Sequence, residues 1–138
     1  LIWPPAQWPS IDLALWRQCC DGTGPDGKYN RACSWGTRRR KIVEDSYGRF
    51  LSWQARAQLL EADVSPGDRL TFDAITEFTA SMAAHGLAPV SIGMVVGALS
   101  SFAHAVAPKA DWSWLKRRYF RLKARATPRR ELADLIAP

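Results

Sequence analysis

The chain has 138 residues, a net charge of +6 and a pI near 9.7. Hydrophobic residues make up 47% and charged ones 23%, which excludes a disordered chain and allows one domain with a real hydrophobic core. Cys19, Cys20 and Cys33 lack any Cys-x-x-Cys or nearby His pair, so neither a disulfide framework nor a zinc site is supported.

Residues 1–9, "LIWPPAQWP", are broken by proline and predict an extended arm. Ser10 is expected to cap a short amphipathic helix, Ile11 to Cys20, with Leu13, Leu15 and Trp16 as its contacts. "DGTGPDGKYNRACSWG" follows, rich in Gly, Asp and Pro, and reads as a surface loop or hinge. A second helix is predicted from Thr37 to about Ala57, with Val43, Tyr47, Phe50, Leu51 and Gln54 at helical spacing. "EADVSPGDR" closes it. Thr71 caps a third helix with Phe72, Ile75, Phe78 and Met82 on one face, and Gly86 ends it as a left-handed residue with Leu87 as its hydrophobic contact. Pro89 opens a fourth helix whose apolar set, Ile92, Val95, Val96, Leu99, Phe102, Ala103 and Val106, follows the 3.6-residue period. Asp111 caps a last helix from Trp112 to about Arg125, ended by Pro128. No segment alternates with period two, so the expected fold is an all-α bundle of four to five helices over residues 10–126.

Charge is distributed unevenly along these elements. From Ala57 to Ala107 five acids face Arg69 alone, a net of −4; from Lys109 to Arg130 nine bases face Asp111, a net of +8. A second cluster, Arg38, Arg39, Arg40 and Lys41, sits in the first turn of the second helix, where the helix dipole disfavours cations. Uniform solubility charge would not segregate like this, and two basic clusters form an electrostatic footprint for nucleic acid. The competing reading of the last helix is a solvated face around a Trp112, Leu115, Tyr119 and Leu122 stripe. No stretch approaches the ~18 apolar residues of a membrane span, and no N-terminal signal pattern is present, so no membrane partner is expected.

The stretch "RRRKIVEDSYGRFLSW", in which a basic first turn leads into Tyr-x-x-Phe-Leu-x-Trp, resembles the N-terminal core-binding (SAM-like) domain of phage-integrase-type tyrosine recombinases. The likeness continues through "LTFDAITEFTASMAAHGLAPVSIGMVVGALSSFAHAV" and "DWSWLKRR", and covers about Ser10 to Ala126. It implies that the bundle forms one half of a clamp on double-stranded DNA. The helices starting at Arg38 and near Pro89 would present their N-terminal ends to the major groove, relieving the self-repulsion of the cations against phosphate.

On this reading the DNA-binding residues are Arg38, Arg39, Arg40, Lys41, Ser91, Lys116, Arg125, Arg129 and Arg130. Gly93 would allow close backbone approach, and the first turn of the fourth helix offers no Arg or Asn for base readout. Residues 127–138 would begin a linker, crossing the DNA backbone, to a catalytic domain absent from this sequence. Neither a Thr-Gly-Leu-Arg-like nor a His-x-Leu-Arg-His segment occurs, His85 and His104 have no partner suggesting catalysis, and Tyr29, Tyr47 and Tyr119 read as loop, core and core-edge residues, with Arg118 beside Tyr119 a poor activator of a nucleophile. No catalytic, metal or cofactor role is therefore assigned to this fragment, which starts at Leu1 and is expected to belong to a longer chain.

The implied setting is the cytoplasm of a bacterial host, with phage or mobile-element origin. The implied partners are duplex DNA, the missing domain and further recombinase protomers on DNA. Two other readings are a stand-alone helical DNA-binding regulator and a helical protein-interaction module.

Overall fold

A computed structural model describes residues 1–126; the whole expected linker, residues 127–138 with Pro128, Arg129 and Arg130, lies outside the described residues. The fold is an all-helical bundle. Its described helices are α1 (Ser10–Asp21), α2 (Thr37–Arg56), α3 (Pro66–Arg69), α4 (Phe72–Ala84), α5 (Pro89–Val106) and α6 (Ser113–Ala126). Five are the expected helices. The sixth, α3, is a single turn initiated by Pro66, in a segment expected only to close α2.

Local signals set several boundaries. Thr71 Oγ1 accepts from the Ala74 amide at 3.1 Å, and Asp111 Oδ1 accepts from the Ser113 amide at 3.0 Å and from the Ser113 hydroxyl at 2.6 Å. Gly86, at φ +87°, turns the chain out of α4 while the Leu87 amide returns to Met82 O at 3.1 Å. Ser10 is a correction: it lies within α1, whose cap position is Pro9, and no side chain caps that end.

An aromatic cluster centred on Phe102 of α5 forms the middle of the core. Tyr47 of α2 stacks on it at 3.8 Å between centroids, Trp16 of α1 tilts against it at 5.3 Å, and Trp8 meets it edge-on at 6.2 Å. A second aromatic group, Phe50, Trp53 and Phe78, joins α2 to α4.

Trp8 belongs to the segment expected to be an extended arm without regular structure, and the structure corrects that expectation. Residues Pro5–Gln7 form a 3-10 turn, Trp8 is buried, and its Nε1 donates to Trp3 O at 3.0 Å. Trp3 in turn donates its amide to Gly48 O at 3.2 Å. A Cβ at Gly48 would lie 2.0 Å from Trp3 O, so only glycine lets the segment lie flat on α2.

The loop of residues 22–36 is also ordered by contacts. It contains two 3-10 turns, Gly27–Tyr29 and Arg31–Ser34, and the buried Asn30 side chain donates to Pro25 O and to Ala105 O, both at 2.8 Å.

Two further corrections concern apolar residues. Phe72 is 55% exposed rather than aligned with Ile75 and Phe78 in the core. The helix α5 is long and apolar enough to cross a membrane, contrary to the expectation that no stretch comes close, and half of it is buried against the rest of the bundle. Its apolarity follows from its central place between α2 and α6.

Candidate nucleic-acid interface

The four cations at the start of α2 have separate environments. Arg38 is exposed and makes no ion pair or hydrogen bond with the described residues. Arg39 lies over the Trp35 ring, 4.6 Å from its centroid. Lys41 pairs with Asp45 at 2.8 Å one turn along, and that hydrogen bond, with the carboxylate's charge, raises its pKa.

Arg40 points into the protein. Its Nε and Nη2 donate to Ala32 O at 3.3 and 3.1 Å, and Nη2 also reaches Cys20 O and Cys33 O, both at 3.3 Å. These carbonyls belong to the end of α1 and to the 3-10 turn before α2, where helix ends leave acceptors unmet. The expectation that Arg40 is held out for phosphate is thereby corrected. One cation of the cluster is present because carbonyl ends of neighbouring elements converge on it.

The start of α5 differs from the resemblance in two ways. Ser91 is exposed as expected, flanked by Val90 and Met94, which are 56% and 63% exposed. Gly93, by contrast, is buried, and a Cβ there would lie 3.8 Å from Leu122 of α6, so the close approach it permits is to a helix of its own bundle.

The second difference is directional. Asn30 and Cys19 both reach Ala105 O near the end of α5, beside the carbonyls that Arg40 of early α2 binds. The far end of α2, at Arg49, Trp53 and Arg56, shares a cleft with Met82, His85 and Leu87, just before α5 begins. So α2 and α5 run antiparallel, and the Arg38 and Ser91 ends lie at opposite ends of the pair. Any contact made by these two helix starts is therefore made from opposite ends of the α2–α5 pair.

The densest positive surface is on α6. Leu115 and the preceding Trp112 face inward, with Trp112 Nε1 donating to Ala107 O at 2.8 Å, while Tyr119 and Leu122 are half-buried. Lys116, Arg117, Arg121, Lys123 and Arg125 are exposed. Arg118 is half-buried with its guanidinium 4.8 Å from the Phe72 ring centroid, which gives the exposed Phe72 a role as a platform.

Burial lowers the Arg118 pKa, and the like charges of Arg121 and Arg125 lower it further. Residues 118, 121 and 125 share one stripe of the helix, and none has a carboxylate within ion-pair distance among the described residues. Asp111, at the opening of α6, has its pKa lowered by hydrogen bonds from Ser113 and then by Arg117.

Elsewhere the ring nitrogens of His85 and His104 contact carbonyls one turn back on their own helices, Ser81 O at 2.8 Å and Ser100 O at 2.7 Å. No cluster of His, Cys, Asp or Glu among the described residues could hold a metal ion.

The polar centre that sequence reasoning missed is Asp12, Tyr47 and Arg69, all buried and hydrogen-bonded to one another. The signal was available in part: Asp12, Trp16 and Cys19 recur at the spacing of one helix face. Comparison with protein-family models, with curated proteins and with solved structures finds no match to this chain.

Proposed function

We propose that this chain binds duplex DNA through the basic stripe of α6, together with the exposed cations at the start of α2. The observation that carries this reading is the set Arg118, Arg121 and Arg125, which share one stripe of α6 without a carboxylate counterpart among the described residues. Like charges at this spacing weaken a helix, and one Glu among them would remove the penalty. Phosphates supply the missing negative charge and release counterions as they do so.

The finer proposal is that this binding serves as the N-terminal clamp half of a site-specific tyrosine recombinase. Its support is the order of "RRRKIVEDSYGRFLSW", the Gly86 stop and the α5 segment. The antiparallel α2 and α5 modify the docking. Fourteen residues of α5 separate Ser91 from Ala105, about 20 Å, or roughly six base pairs along a duplex. Arg38 and Ser91 therefore contact separate stretches of backbone.

A titration of a fluorescent duplex tests the proposal. Micromolar or weaker binding is expected, similar for unrelated sequences and weakening steeply with salt, without nicking of a supercoiled plasmid. Absence of salt-dependent binding, or a covalent adduct through a tyrosine of this chain, contradicts it.

A further inference from the structure

The helices α5 and α6 pack closely where small residues of α5 meet α6. A Cβ at Gly97 would lie 2.7 Å from the Tyr119 ring, and one at Gly93 would lie 3.8 Å from Leu122 Cβ. Toward the opening of α5 two adjoining clefts replace that contact. One, of about 320 Å³, is lined by Val90, Met94, Tyr119 and Lys123 among others. The second, of about 530 Å³, takes in Leu87, Ile92 and Arg125. Pro89, Val90, Leu122 and Ala126 line both, so the two form one apolar groove. Val90 and Met94, one turn apart on α5, are 56% and 63% exposed along it. Exposed apolar side chains gathered in a groove, rather than scattered singly, mark a contact surface.

The sequence beyond α6 has the chemistry of an occupant. Ala126 is the last described residue and lines both clefts, so the rest of the chain leaves from the groove's own edge. Pro128 is unsuited to continuing α6. Residues 131–136, "ELADLI", carry Leu132, Leu135 and Ile136 at the spacing of one helix face, with Glu131 and Asp134 on its flank. Five steps from Ala126 to Glu131 reach up to about 17 Å, enough for a reversal. Six helical residues cover about 9 Å, close to the ~10 Å of α6 between Tyr119 and Ala126. Lys123 and Arg125 line one cleft each and are opposite in sign to the segment's two acids.

We propose that residues 131–136 of this chain fold back into the α5–α6 groove, where Leu132, Leu135 and Ile136 cover Val90 and Met94 while Glu131 and Asp134 face Lys123 and Arg125. A tether this short gives the segment a high effective concentration at the groove, which favours it over a second copy or a separate protein. The inference goes beyond the DNA-binding reading and does not depend on it.

The test is a methyl nuclear Overhauser spectrum of the full chain. Contacts are expected from Leu132, Leu135 and Ile136 to Val90, Met94 and Leu122. They should persist on dilution and be absent from the isotope-filtered spectrum of mixed labelled and unlabelled chains. Val90→Ser/Met94→Ser, at two exposed positions, should speed amide exchange at residues 132–136 about tenfold. Leu132→Ser/Leu135→Ser, outside the described helices, should in turn shift the amides of residues 89–94 and 119–126, which keeps the test decisive if the first variant fails to fold. Absence of contacts between the two segments, unchanged exchange in a folded Val90→Ser/Met94→Ser chain, or unshifted groove amides overturn the proposal. Contacts found only between molecules overturn it as well and make a second copy the occupant.

Discussion

Arg69 forks onto Asp12 across 57 residues of chain, Nε to Oδ2 at 2.9 Å and Nη2 to Oδ1 at 3.0 Å. The Tyr47 hydroxyl donates to the same Oδ2, and Arg69 Nη1 reaches Glu61 O at 2.5 Å. Three helices and a loop are tied at one point. Burial works against the Arg69 charge, yet its bonds to Asp12 and the charge of that carboxylate hold its pKa above the ordinary value. Removing one partner strands the other as a buried charge, so Asp12→Ala should lose about 3–5 kcal/mol of stability. The double variant Asp12→Leu/Arg69→Met should lose far less than the sum of its single changes. Urea unfolding of the four proteins measures this, and additive losses would refute the coupling.

Stability should also decline at alkaline pH. Burial, and then the neighbouring Cys20, push the Cys19 thiol from 9.0 up to about 12. Burial, and then the Asp12 charge, push the Tyr47 hydroxyl well above its usual value. Both groups stay protonated in the folded chain after the unfolded chain has ionised. Their contribution is therefore complete below pH 9 and is lost as pH rises toward 12. The urea midpoint should fall between pH 8 and pH 10.5. At pH 8, Cys19 should react with a thiol reagent only as the chain unfolds.

Gly48→Ala should dislodge the N-terminal segment, because a Cβ there would lie 2.0 Å from Trp3 O. The expected result is a red shift of tryptophan emission as Trp8 leaves Tyr47 and Phe102, with a loss of about 1–3 kcal/mol for an overpacked site. An unchanged spectrum and stability would mean that the segment does not hold this position.

The α2 cluster divides by role. Arg40→Ala should destabilise the fold by about 1.5–3 kcal/mol through lost charged hydrogen bonds and leave the salt dependence of DNA binding unchanged. Arg38→Ala/Arg39→Ala should retain stability and reduce the log–log salt slope by about 1.8, two phosphates' worth. Thermal melts and salt-series titrations separate the two effects.

These contrasts show what the sequence carries. Thr71, Gly86, Pro89 and Asp111 act on their nearest neighbours in the chain, so their roles were legible from type and position. Leu99 and Phe102 were legible because burial follows helical period. Arg40 and Arg38 are nearly identical in sequence context, and only the carbonyls arriving from Cys20 and Ala32 distinguish them. The same holds for Arg69, whose partner is 57 residues away, and for Gly48, which reads as a helix-weakening residue until Trp3 lies on it. Of the candidate interface, the basic segregation was legible. The direction of α2 against α5, which places Arg38 and Ser91 apart, was not.

The central claim is that Lys116, Arg117, Arg121 and Arg125 of α6 form a phosphate-binding surface, and the salt dependence of duplex binding tests it most directly. The wild-type chain and the variant Lys116→Gln/Arg117→Gln/Arg121→Gln/Arg125→Gln should be titrated with one duplex from 50 to 300 mM salt. These side chains are exposed, so the fold should persist by far-UV circular dichroism. The slope should decrease by about 3.6 if each base meets one phosphate, with affinity falling for every sequence alike. A variant that binds with the wild-type slope would contradict the account.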